Sequence, residues 1–467
     1  MSSRPNDNYP LGEDMKISAH RTVALAAAGA TALVGALTVA APAQADHTET
    51  TTTNYGLTAR AFGSHADAQP MGVSSTRTAM SFLGCTREAG IHKRNFVAST
   101  GGEAGATLHV SGVENKTLTY QNKRRVGSRG LSMIEEVILG DPEGANITIT
   151  GLHTRAHAFA VKRKDTLHAE SEYDSVGISA NTGTELDTVL NEADATLGDL
   201  LTEIENEVNN NLIIPGLGEI KLGNKHNRVF KRAGIAKSNA VALRATLYGE
   251  DTMPGGDDDI EVILGKSRAF IFKDLPAGVM RGKAVPLHAN LIGETLNVGR
   301  VNDLPLPCRG TDGKIKETAT AGVNLGNADS IEAGELTSRV FGKQNDNGSA
   351  RAWTEARVTN FSLGDGELEI NGIVGRVNVK TNRKGQIVRR NIAGSTIGEL
   401  FIGGEEHEFP DPGEPLEIPD LAKLEFFVEN PGTRGNRVTA VRITLLEGSD
   451  AGSVINLGQA QTYIMRR

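Results

Sequence analysis

The sequence repeats itself, and that constrains its fold more than any single motif. Ser81-Phe-Leu-Gly-Cys85 returns as Leu304-Pro-Leu-Pro-Cys308, and Ile147-Thr-Ile-Thr-Gly-Leu152 as Leu368-Glu-Ile-Asn-Gly-Ile373. Ala195-Thr-Leu-Gly-Asp-Leu200 returns as Ser395-Thr-Ile-Gly-Glu-Leu400, and Ile214-Pro-Gly-Leu217 as Ile418-Pro-Asp-Leu421. Leu243-Arg-Ala-Thr-Leu247 matches Val441-Arg-Ile-Thr-Leu445, and Leu264 to Ile271 matches Leu457 to Ile464. The order is kept throughout, which points to two copies of one domain. Apolar alternation and glycine recur; reactive side chains do not. The first copy carries extra residues between Gly151 and Leu200, expected as a surface insertion within Asn181 to Asp194.

Most segments read as strands. Asn146 to Thr150, Ala242 to Leu247, Glu367 to Ile370 and Thr439 to Leu445 alternate apolar and polar residues, which puts one face on a core and the other in water. Asp365-Gly366 and Pro431-Gly432 supply turns. One stretch differs. Leu186, Val189, Leu190, Ala193, Leu197, Leu200, Leu201 and Ile204 recur near helical spacing. The expected fold is all-β: two tandem β-sandwich-like domains of antiparallel strands, with a short helix in an insertion of the first copy.

The N-terminus reads as a secretion signal. Lys16, His20 and Arg21 precede the small, apolar run Thr22 to Ala40, and Ala43-Gln44-Ala45 is a small-x-small cleavage site. The mature chain is expected to begin at Asp46. Residues 1–14 do not fit a signal, and a start at Met15 is the more economical reading. The competing reading of the apolar run is an uncleaved anchor. Further expected boundaries are a Thr-rich disordered leader at 46–54, a first β-repeat domain at 55–272, a junction at 273–282 and a second domain at 283–465.

An exported chain can pair its cysteines. Cys85 and Cys308 hold equivalent positions, and equivalent residues meet only near a pseudo-twofold axis. A disulfide and two separately buried thiols both remain open on the sequence. The net charge of −8 argues against nucleic acid as partner. Aromatic residues make up only 4%, so sugar-stacking platforms are scarce. No second apolar span follows the signal, so no membrane span is expected in the mature chain.

The arrangement resembles the choice-of-anchor P family of secreted actinobacterial proteins. Gly394-Ser-Thr-Ile-Gly-Glu-Leu-Phe-Ile-Gly-Gly404 resembles that family's Gly-Ser-Thr-Ile segment, and Ile214-Pro-Gly-Leu-Gly218 its Pro-Gly-Val-Gly turn. Val438 to Leu445 and Ser453 to Ala460 are similar to its last two strands. The resemblance implies a cell-surface or secreted role and carries no catalytic residues. The family's variable C-terminal anchor has no counterpart in Thr462 to Arg467.

Candidate chemistry is sparse. His153 and His157 would chelate a metal on a helix, but on a strand they sit too far apart to do so unaided, and polar strand surface is the expectation for both. Asp257-Asp258-Asp259 lacks calcium-loop spacing. Glu405-Glu406-His407-Glu408 lacks the second histidine of a metalloprotease helix. Arg244 and Arg442 recur mid-strand and are expected on the solvated face, with a shared anion site as the alternative. The reading is a secreted or cell-surface structural or interaction protein, not an enzyme, with no catalytic residue, metal or cofactor and an unidentified envelope or extracellular partner. The alternatives are a carbohydrate- or small-ligand-binding module, using Trp353, Tyr248 or Tyr463, and a hydrolase with an unrecognised carboxylate site.

Overall fold

The computed structural model describes residues 47–68, 73–74, 78–101, 108–140, 144–183, 187–188, 191, 211–214, 218–247, 260–290, 300–324, 331–364, 366–410, 413–446 and 451–465. Every element among them is a β-strand, and the strands pair antiparallel. The signal peptide expected at 1–45 lies outside the described residues. So does the expected helix, apart from Asp187, Thr188 and Asn191. There the Asn191 N–H donates to the Asp187 carbonyl at 3.1 Å, as in one helical turn.

The first half is one continuous sheet folded into two layers. β1 (His47–Ala68), with the two-residue β2 (Val73–Ser74) paired to its end, and β3 (Ser81–Gly101) come first; β1 and β3 are long enough to run through the fold. β3 pairs with β1 through Ser81 to Ile91, then with β4 (Leu108–Gln121) from His92 onward. It therefore passes from one layer to the other, the usual corner of a sandwich. From β4 the sheet continues through β5 (Arg125–Gly140) to β6 (Asn146–Val161), whose far edge carries β7 (Thr166–Asp174) and β8 (Gly177–Asn181). On the other side β1 pairs with β13 (Ile260–Phe272). Then follow β12 (Ile235–Leu247), β10 (Gly218–Leu222) and β9 (Asn211–Ile214), with β11 (Lys225–Phe230) also on β12. Val113, Ile134, Ile149 and Leu152 of one layer pack against Leu243, Val262 and Leu264 of the other.

The second half has the same order of pairing in two separate sheets. β14 (Val279–Asn290), β29 (Val454–Met465), β28 (Gly435–Leu445), β27 (Ala422–Glu429) and β26 (Leu416–Ile418) form one layer, with β15 (Arg300–Val301) and β16 (Leu304–Pro305) on the free edge of β14. β17 (Lys316–Thr320), β20 (Leu336–Gln344), β21 (Ala350–Leu363) and β22 (Leu368–Thr381) form the other, with the short β18 (Val323–Asn324) paired to β19 (Glu332–Ala333) and β19 to β21. β23 (Ile387–Asn391) and β24 (Glu399–Ile402) both sit on the edge of β22, as β7 and β8 sit on that of β6.

The recurring glycines explain this likeness. In β6 the buried side is Ile147 and Ile149 before Gly151, then Leu152 and Thr154 after it. In β22 it is Leu368 and Ile370 before Gly372, then Ile373 and Val377 after it. Each glycine has a left-handed backbone, with φ of 61° and 64°. Each is a bulge that shifts the inward register by one residue. Gly265 and Gly458 do the same in β13 and β29, with φ of 57° and 61°. Gly375 serves a different need: a Cβ there would lie 1.7 Å from the Gly458 carbonyl oxygen, so the two layers meet backbone to backbone.

Several boundaries differ from expectation. The leader at 46–54 was expected to be disordered, but His47 to Asn54 is part of β1, paired at Thr51–Ala89 and Thr52–Glu88. Threonine suits a pleated, half-buried surface, so a Thr-rich run can extend a strand. The junction is Lys273 to Gly278, and Val279 already begins β14. Leu200 lies outside the described residues. The ladder place that Leu400 holds opposite Ile370 is held in the first half by Ile178, opposite Ile149. The extra residues of the first half therefore follow β8.

Cys85 and Cys308 form a disulfide between the halves, with Cα atoms 5.4 Å apart. It lies in a small apolar cluster with Phe272, Leu275 and Val279. Gly56, opposite Phe272, and Val279, opposite Met465, hold equivalent ladder places. A Cβ on Gly56 would lie 3.0 Å from Val279 Cγ1. Two equivalent pairs thus meet, which is the arrangement of a local twofold.

Candidate anion-binding face

The outward face of the β20–β21–β22–β23 layer carries a pattern that only the register reveals. Lys343 pairs with Arg351, Arg351 with Lys380, and Lys380 with Arg389. All four are exposed. Adjacent strands lie about 4.8 Å apart, so the four cations form a row about 14 Å long. None has a carboxylate at ion-pair distance among the described residues. Like charges directly opposite destabilise a strand pair, so the row works against the sheet.

The next row is aromatic and amide: Phe341, Trp353, Asn378 and Asn391. Arg351 lies 5.0 Å over the Phe341 ring, Phe341 stacks on Trp353 at 5.7 Å, and Arg376 lies 4.4 Å over Trp353. Phe341 and Arg376 come from the strands on either side of Trp353, so both faces of the indole are occupied. The stack stiffens the platform and presents guanidinium groups at its ends. One row further, Glu355 is only 3% exposed and gathers arginines. Its Oε1 accepts from Arg357 Nε at 2.7 Å and its Oε2 from Arg376 Nη1 at 2.9 Å, while Arg339 Nη1 stands 3.7 Å away.

The residues singled out from sequence are scattered. His153 and His157 do not meet. His157 is 3% exposed, although polar surface was the expectation, because aromatic and arginine side chains roof the outer side of β6. The Tyr120 hydroxyl lies 2.6 Å from His157 Nε2, and His157 Nδ1 stands 3.5 Å from Glu170 Oε2. The carboxylate favours the ring proton on Nδ1, the tautomer in which the hydroxyl donates to Nε2. Burial, helped by Arg129, Arg155 and Arg125, pushes the imidazole down to about 2, so the Glu170 contact is not an ion pair. Burial raises the Tyr120 phenol to about 12. A phenol that keeps its proton and an imidazole that refuses one make a packed polar contact, not a nucleophile and base.

This gives a pH prediction. A histidine with a folded pKa far below its unfolded value near 6.5 takes up a proton only on unfolding. Its contribution is present above about pH 6.5 and lost as pH falls, by at most about 1.4 kcal/mol per pH unit. His157→Phe is expected to flatten the stability profile between about pH 6.5 and 5. Denaturant unfolding across that window checks it; a slope identical to wild type contradicts it.

Glu405, Glu406 and His407 form β25 (Glu405–His407), an exposed hairpin strand on β24. Asp257 to Asp259 and Tyr248 lie outside the described residues. Tyr463 packs over Gly432 and Gly435. Arg244 and Arg442 face outward, paired to Glu261 at 2.8 Å and Glu425 at 3.4 Å, while Leu243, Ala245 and Leu247 are buried. Among the described residues no group of three His, Cys, Asp or Glu is placed to hold a metal ion.

No family model matches the chain, and no curated protein or solved structure is significantly similar to it.

Proposed function

We propose that the chain is an exported, non-catalytic envelope protein: two copies of one β-sandwich domain, locked by a disulfide, that bind a polyanionic polymer along the Lys343–Arg351–Lys380–Arg389 row. The observation that carries this reading is the row itself. Four cations from four strands stand in register on an exposed face of a chain whose net charge is −8, at a cost to the sheet. A polymer with one phosphate or carboxylate per repeat would neutralise it. Export is supported by the signal-like N-terminus and by the Cys85–Cys308 bond, which belongs to an oxidising compartment. The resemblance to choice-of-anchor P proteins supports the same location. Sugar stacking on Trp353 is the weaker alternative, since Phe341 and Arg376 already take its ring faces.

Long-chain polyphosphate is a suitable probe, with neutral dextran as control. Wild type should bind polyphosphate with affinity that falls as salt rises, and should ignore dextran. The quadruple variant Lys343→Ser, Arg351→Ser, Lys380→Ser, Arg389→Ser should lose at least about tenfold in affinity, or about 1.4 kcal/mol, while unfolding no earlier than wild type. Unchanged affinity in the variant overturns the reading.

A further inference from the structure

The two halves share a second, shorter pattern. Arg60-Ala61-Phe62-Gly63-Ser64-His65 in β1 corresponds to Lys283-Ala284-Val285-Pro286-Leu287-His288 in β14. The register makes them equivalent. Phe62 lies opposite Lys266 and Ser64 opposite Leu264; Val285 lies opposite Gln459 and Leu287 opposite Leu457. Gly63 and Pro286 are skipped in the pairing, across from the bulges at Gly265 and Gly458. The basic side chain and the histidine are five positions apart, an odd offset, and the bulge returns both to the outer face.

In the first half this place is a cavity of about 50 Å³ lined by Arg60, Phe62, His65, Lys266 and Arg268. A water needs roughly 10–15 Å³, so there is room for a small polyatomic ion. In the second half the place holds cations with little to balance them. Lys283, Arg300 and Arg437 face one carboxylate, Asp303. None of these cations forms an ion pair among the described residues. Gln459 is 5% exposed and its Nε2 has no hydrogen-bond partner. His288 Nδ1 and Asp303 Oδ1 are also buried without one. Burial, with Arg300 and Arg437, pushes Lys283 down to about 8 and His288 down to about 4. Orphaned buried polar atoms and crowded like charges both cost stability, and one guest can relieve both.

We propose that the outer face of β14 and β29 around Lys283, His288, Arg300, Arg437, Gln459 and Asp303 is a site for a phosphate group that retains a hydroxyl. The phosphate oxygens accept from Lys283, from Gln459 Nε2 and from a histidine N–H. The hydroxyl donates to Asp303 Oδ1, which sulfate cannot do. The site lies on a different layer from the four-cation row, so either can fail without the other.

Calorimetric titration of the disulfide-bonded chain with inorganic phosphate and with sulfate at pH 7 tests this, with the Lys343/Arg351/Lys380/Arg389 variant run beside wild type. Phosphate should bind at least about tenfold more tightly than sulfate and equally to both proteins. Lys283→Met should lose phosphate binding at this site yet unfold no earlier than wild type in phosphate-free buffer, because a buried cation has gone. Asp303→Asn should bind sulfate as well as phosphate, since an amide donates to either. Displacement of phosphate by glycerol 1-phosphate at about pH 5.5, where most of the ester still carries its hydroxyl, would identify an ester as the ligand, and failure to displace would identify the free ion. Absence of phosphate binding, or binding unchanged in Lys283→Met, overturns the proposal. So does a phosphate preference that survives Asp303→Asn.

Discussion

Cys85→Ala/Cys308→Ala is expected to cost about 5 kcal/mol of stability under oxidising conditions. The bond joins residues separated by 223 positions and spans both halves. Chain-entropy arithmetic gives roughly 4.7 kcal/mol for a loop of about 100 residues, and the value grows slowly with length. Packing adds to the effect, since Cys308 is fully buried among Leu275, Val279 and Phe272. Without the bond the halves remain joined by the short junction after Phe272 and should unfold in two resolved steps. Guanidinium unfolding followed by Trp353 fluorescence, which reports the second half alone, and by circular dichroism, which reports both, would separate those steps. A loss below about 1 kcal/mol with coincident transitions would contradict this account.

Glu355→Ala should be nearly as damaging, at about 3 kcal/mol. Removing one partner of a buried ion pair typically costs 3–5 kcal/mol, and the low end applies because the arginines around Glu355 are between 29% and 43% exposed and can turn to water. Arg357 and Arg376 would then lose the carboxylate they share, while Arg339 keeps Glu317 at 2.5 Å, and all three guanidinium groups would crowd together next to the row of four. The loss should shrink at high salt, where repulsion is screened. Glu355→Gln should lose less, because the amide oxygen still accepts from one arginine. Equilibrium unfolding in low and high salt checks both effects. A Glu355→Ala variant within about 0.5 kcal/mol of wild type would show that the arginines do not need this carboxylate.

Much of the fold was legible because the segments matched in sequence keep what a sandwich needs. Gly151 and Gly372, and Gly265 and Gly458, mark bulges at matching places, and the alternation around them marks the core faces. Leu243 and Val441 lie inward with Arg244 and Arg442 outward, as period two requires. The site was much less legible. The four cations come from four strands, and nothing short of the register brings them together. The sequence hides the Arg60–His65 and Lys283–His288 pairs, because plain alternation sends residues five apart to opposite faces; the bulge undoes that. His157 looked like strand surface, since no rule of spacing shows that Tyr120 and three arginines would roof it. Residue similarity also set Leu200 against Leu400, whereas pairing with β6 gives that place to Ile178.

The most direct test of the central claim is lysine footprinting by acetylation and mass spectrometry, with and without polyphosphate. Lys343 and Lys380 are exposed on the row, and Lys123, exposed in the β4–β5 turn, is a control in the other half. Polyphosphate should protect Lys343 and Lys380 and leave Lys123 as reactive as before. Protection of Lys123 with Lys343 and Lys380 still fully labelled would place the polymer elsewhere and contradict it.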